Sequence, residues 1–164
     1  MKLELKHLAP YLPYELKMYW ENLVGEKLTP WVLTSSKLKF ALEMQNKPIL
    51  RNLSDLTKEI EVDGEKFVPI KELFNIAYTS IYDYKFEGEY EQDKDFDIHL
   101  ALKAKEDNWD YGFTIELPYQ FRMSANGSFL NIPQFELYQK LFQWHFDIFG
   151  LIPQGLAIDI NTLK

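Results

Sequence analysis

Hydrophobic positions recur along this chain at two spacings, one of two residues and one close to the helical repeat, and the switches between them mark the elements. Leu16, Met18 and Trp20 alternate with Glu15, Lys17, Tyr19 and Glu21, which predicts a strand over residues 15 to 22 once Pro10 and Pro13 have denied helix continuity. After Pro30 and the polar Thr34, Ser35 and Ser36, alternation returns with Leu38, Phe40, Leu42 and Met44 against Lys37, Lys39 and Glu43. A strand fits, but Leu, Met, Glu and Lys also suit a helix, and the pattern leaves both open. Between Ile60 and Phe67, the pair Asp63-Gly64 supplies the positive φ angles of a two-residue type I′ turn, which predicts a hairpin with Ile60 opposite Phe67. Past Pro69, apolar residues at 70, 73, 74, 76, 77, 78 and 81 predict a short middle helix over 70 to 82.

Two further alternating runs, Ile98, Leu100 and Leu102, then Tyr111, Phe113, Ile115 and Leu117, predict an antiparallel pair joined by the polar residues 105 to 108. The Asn126-Gly127 turn predicts that residues 119 to 123 pair with a short strand at Phe129 and Leu130. A long helix is expected over 133 to 149, where Phe135, Leu137, Tyr138, Leu141, Phe142, Trp144, His145, Phe146, Ile148 and Phe149 share one broad apolar face. Gly150 suits its C′ position and Pro153 stops propagation. Leu156, Ile158 and Ile160 then predict a final strand. The expected fold is α+β: a single domain over 1 to 164, mainly an antiparallel sheet packed against the long C-terminal helix and the shorter middle one.

Composition narrows the functional classes. At 164 residues with 46% apolar and 16% aromatic content, the chain can build a substantial core. It carries 25 acidic against 18 basic residues, a formal charge of -7, so direct nucleic-acid binding is not favoured. The absence of cysteine excludes disulfides, thiolate nucleophiles and every cysteine-ligated metal site. Residues 1 to 7 alternate charge and apolarity instead of forming a signal peptide, and no apolar run reaches membrane-spanning length, so a cytoplasmic protein is expected. The sequons at Asn52 and Asn126 then read as turns.

Candidate chemistry is sparse. His7, His99 and His145 have no second histidine at metal-ligand spacing, and His145 reads as a hydrogen-bonded structural residue on the apolar face of the last helix. There is no nucleophile-elbow or phosphate-loop motif, so no catalytic residue is assigned. Asp93, Asp95 and Asp97 begin like a calcium loop, but Ile98 stands where the turn glycine belongs and Ala104 where the bidentate glutamate belongs. No metal or other cofactor is expected. The segment from Asp83 to Asp97 holds seven carboxylates against two lysines, with Tyr82, Tyr84, Phe86, Tyr90 and Phe96 interleaved. Such a run protects a sheet edge by charge, or steers and anchors a basic partner surface. On the second reading, Tyr84, Phe86, Glu87, Glu89, Tyr90, Glu91, Asp93, Asp95 and Asp97 form a partner-binding stretch.

Residues Leu50-Arg51-Asn52-Leu53-Ser54-Asp55-Leu56-Thr57-Lys58-Glu59-Ile60 and Gly64-Glu65-Lys66-Phe67-Val68-Pro69-Ile70 resemble a family of small accessory proteins encoded by phages and prophages. His7-Leu8-Ala9-Pro10-Tyr11-Leu12-Pro13-Tyr14, Trp144-His145-Phe146-Asp147-Ile148-Phe149-Gly150-Leu151-Ile152 and Gly155-Leu156-Ala157-Ile158-Asp159-Ile160-Asn161 are similar to the same family. The resemblance implies a non-enzymatic protein that binds and inhibits or redirects a host or defence factor. Its sharpest form is an anti-CRISPR inhibitor meeting the basic nucleic-acid-binding surface of the effector. Two other classes remain open from the residues: a metal-dependent nucleic-acid-processing enzyme or replication accessory, and a self-associating structural or assembly protein.

Overall fold

The computed structural model describes residues 2–20, 30–92, 100–116 and 120–163. The fold is mixed α and β, and the chain divides into two compact units: Met1–Leu53 with Leu141–Lys164, and Ser54–Lys140.

The first unit opens with a single helical turn, α1 (Leu5–Leu8), closed by a reciprocal capping box between Glu4 and His7. Pro10 and Pro13 then shape a 3-10 stretch that Glu15, in the left-handed region, terminates. Strand β1 (Lys17–Tyr19) pairs antiparallel with β2 (Trp31–Val32) and with β3 (Lys47–Leu50). The expected strand over 15 to 22 is thus shorter, and its last two residues lie outside the described ones. Its expected apolar face also ends early: Leu16 and Met18 are buried, but the next buried side chain is Tyr19, and Trp20 is exposed. The ambiguous segment resolves as helix α2 (Leu38–Glu43), where good helix formers without a β-branched residue bury Ala41. The core gathers Leu3, Leu8, Tyr11, Leu16, Leu33 and Leu50 with Leu151 from the C-terminal segment.

In the second unit, β4 (Ile60–Val62) and β5 (Glu65–Phe67) form the expected hairpin, with Ile60 opposite Phe67 and both Asp63 and Gly64 at positive φ. Helix α3 (Pro69–Tyr82) begins on its proline, buries Ile70, Leu73, Phe74, Ala77 and Tyr78, and stops where Asp83 turns left-handed. Strands β6 (Glu89–Gln92), β7 (Leu100–Glu106), β8 (Trp109–Glu116), β9 (Gln120–Ala125) and β10 (Ser128–Leu130) make an antiparallel sheet in the order β10-β9-β8-β7-β6. Register aligns Leu102, Phe113 and Met123 in one row and Ala104, Tyr111 and Ala125 in the next, all buried. The Phe74 ring meets Tyr111 and Phe113 edge-on at 6.2 and 6.0 Å, so α3 covers this face.

The last helix departs from expectation. Helix α4 (Gln134–Gln143) has ten residues, fewer than the 14 of α3, so the long C-terminal helix over 133 to 149 does not form. His145 is left-handed, its carbonyl accepts from the Arg51 N–H, and Arg51 bridges Phe146. Asp147 then accepts from the Leu151 and Ile152 N–H groups, both at 2.7 Å. These partners satisfy a backbone that would otherwise continue the helix. Gly150 keeps a positive φ, in a turn well past the helix end. The final strand, β11 (Ile158–Asp159), lies parallel to β3 and completes the sheet β11-β3-β1-β2.

Candidate partner-binding segment

The aromatic and acidic run expected to meet a partner crosses from the end of α3 into β6, the terminal strand of the five-stranded sheet. Gly88 makes the approach possible. A Cβ there would collide with the Lys105 carbonyl oxygen and stand 2.6 Å from Phe86 Cζ. Next to it, Glu106 at the end of β7 ties the segment down. One carboxylate oxygen accepts from the Tyr78 hydroxyl at 2.5 Å, and the other from the Glu87 N–H at 3.2 Å. The Tyr84 hydroxyl lies 3.1 Å from that of Tyr78. Burial pushes the Tyr78, Tyr90 and Tyr111 phenols above the ordinary tyrosine range, so they act as neutral hydrogen-bonding groups.

The nine candidate residues separate by environment. Phe86 is buried, with its ring 5.1 Å from Phe74 and 5.2 Å from Tyr78, so it belongs to the core of the unit. Tyr90 is half-buried: its hydroxyl donates to Asn75 Oδ1 at 2.6 Å and Lys71 Nζ sits 5.0 Å above its ring. Tyr84 is 55% exposed, and Glu87 and Glu89 are exposed beside it. Glu89 faces Lys105 across the ladder and Glu91 faces Lys103, so basic residues of β7 accompany the acidic strand. Asp93, Asp95 and Asp97 lie outside the described residues, as does His99.

Gly88 and Glu106 organise this segment, yet neither stood out in the sequence. Glu106 ends β7 but belongs to the polar residues 105 to 108, which read in the sequence only as a connection, and the need for glycine at 88 arises from the neighbouring strand β7. His145 lies past the end of α4 and not on its apolar face as expected, and its Nε2 donates to the Tyr14 carbonyl at 2.6 Å. Among the described residues, no cluster of three histidine, aspartate or glutamate side chains could hold a metal ion, and no helix is long and apolar enough to cross a membrane. No family model, curated protein or solved structure matches this chain.

Proposed function

We propose that this chain is a phage-encoded binding protein that acts in the host cytoplasm by inhibiting or redirecting a host or defence factor. The observation that carries this reading is the placement of exposed Tyr84, Glu87 and Glu89 on the segment that leads into a sheet-edge strand. Phe86 and Tyr90 fix that segment from behind, and the Tyr84 ring, 55% exposed, is braced edge-on by Tyr78 at 5.6 Å, so it stands with the exposed carboxylates in one arrangement. A preorganised acidic surface with an aromatic anchor suits a basic protein surface, because charge accelerates encounter and the ring supplies short-range contact. The nucleic-acid-binding surface of a CRISPR effector is the sharpest candidate of this kind, a choice that rests on the sequence resemblance to phage proteins.

Affinity purification of the tagged chain from defence-competent cells tests the reading. A stoichiometric basic protein should co-purify, with salt-sensitive binding that weakens when Glu87, Glu89 and Glu91 are together changed to lysine. Recovery of nucleic acid alone would favour a nucleic-acid-processing role, and recovery of further copies of the chain an assembly role.

A further inference from the structure

A cleft of about 370 Å³ opens on the four-stranded sheet of the first unit, between Tyr19 and Trp20 at the end of β1, Met44, Asn46 and Lys47 before and within β3, and Leu163 after β11. Its wall holds an unusual concentration of unused polarity. Asn46 is 2% exposed and neither its amide oxygen nor its amide nitrogen has a protein partner; the hydroxyl of Tyr19, 7% exposed, has none either. Among the described residues, these three are the buried side-chain nitrogen and oxygen atoms left without a hydrogen bond. In folded proteins the large majority of such atoms find a partner in protein or ordered water, and those left over call for an explanation.

Neighbouring polar groups show that this is specific. Gln45 accepts from Leu3 N at 2.9 Å and donates to Leu42 O at 2.5 Å, and Thr162 donates to Asp159 O at 2.7 Å. Asn46 is held in place all the same: its backbone N–H donates to Ala41 O at 3.0 Å, and the next residue, Lys47, pairs with Tyr19 in the ladder. The two orphaned side chains, Tyr19 at the end of β1 and Asn46 just before β3, therefore line one opening from fixed backbone positions.

A primary amide offers an acceptor beside a donor, the complement of the donor and acceptor on a nucleobase edge. Trp20, 36% exposed and braced edge-on by Phe40 at 6.4 Å, offers a stacking face, and half-exposed Met44 a polarisable one. Lys47, half-buried and without an ion pair to any described residue, supplies one cation. The volume lies within the range of small-molecule sites. We propose that the cleft binds a free mononucleotide, with the base edge on Asn46 and Tyr19, the ring against Trp20 and the phosphate at Lys47.

The test titrates the full chain with AMP, GMP, CMP, UMP and adenosine, by calorimetry and by tryptophan fluorescence. At least one nucleotide should saturate a single site and quench Trp20, with the base that mates the amide preferred by about tenfold or more, the factor expected from one lost hydrogen bond in a desolvated site. Asn46→Leu should weaken that nucleotide by at least about tenfold while leaving the melting temperature equal or higher, since the change removes an amide that the free protein leaves unpaired. Tyr19→Phe repeats the test with minimal risk to folding. Lys47→Met should weaken a mononucleotide but leave adenosine unaffected if adenosine binds. Failure of all four nucleotides to saturate at millimolar concentration overturns the proposal, as does undiminished binding in Asn46→Leu and Tyr19→Phe.

Discussion

The Tyr11 hydroxyl donates to the Phe146 carbonyl at 2.6 Å, joining residues 135 positions apart inside the first unit. Both residues are fully buried, and burial pushes the Tyr11 phenol far above its ordinary range. Removing the hydroxyl leaves a buried carbonyl with one partner fewer. Tyr11→Phe should cost about 1 to 3 kcal/mol in chemical unfolding, with the phenylalanine ring preserving the edge contact to Phe142.

Leu141 and Trp144 test the core around the end of α4. Leu141 is fully buried and Trp144 is 6% exposed, so both truncations remove packed volume. Leu141→Ala should cost about 2 to 5 kcal/mol and Trp144→Ala about 3 to 5 kcal/mol, read from denaturant midpoints. A normal melting curve for either would contradict its burial.

Glu106 is expected to control the local mobility of the candidate segment more than global stability. In Glu106→Ala, the Tyr78 hydroxyl and Glu87 N–H lose their carboxylate partner. Hydrogen exchange at Glu87 should accelerate while amides of β8 and β9 keep their protection. Uniform acceleration through the sheet would show that the carboxylate supports the whole unit instead.

Gly88→Ala should act on the same strand through sterics. Its Cβ would strike the Lys105 carbonyl, a backbone atom that cannot rotate aside. β6 should separate from β7, and proteolysis should begin near residue 88. Partner binding should fall together with strand protection if the segment is the interface.

His7 gives the first unit a pH dependence. Burial, followed by the positive charge of Lys6, lowers its pKa below the ordinary value of 6.5. Its neutral Nδ1 accepts from the Glu4 N–H at 3.0 Å, a bond that protonation abolishes. With the folded pKa depressed, the stabilisation is complete above the unfolded value and is lost as pH falls through the folded one. Melting temperature should therefore decline on acidification below pH 6.5, and more steeply than in His7→Gln.

Local signals carried the second unit. Asp63-Gly64 and Asn126-Gly127 announce turns with positive φ, and the alternation in β7 and β8 states which side chains face α3. What stayed hidden depends on distant partners. The helical pattern through 149 gives no warning that Arg51 will pair with residues 145 to 147, and the alternation through Trp20 does not show that Tyr19 takes the buried place. For the candidate segment, spacing could not separate Phe86, whose ring the Phe74 and Tyr78 cluster absorbs, from Tyr84, which stays exposed. Asn46 was illegible for another reason: its distinction lies in the bonds that its surroundings do not provide.

The division of the chain also sets an order of events during synthesis. Ser54–Lys140 is continuous, so its five-stranded sheet can close while the ribosome is still translating. The other unit is split around it, one part made before Ser54 and one after Lys140. A nascent chain that has emerged only to Lys140 holds Tyr11 without the Phe146 carbonyl, and β3 without β11 beside it. The residues of that unit that precede Ser54 must therefore wait, with apolar surface uncovered, for those that follow Lys140.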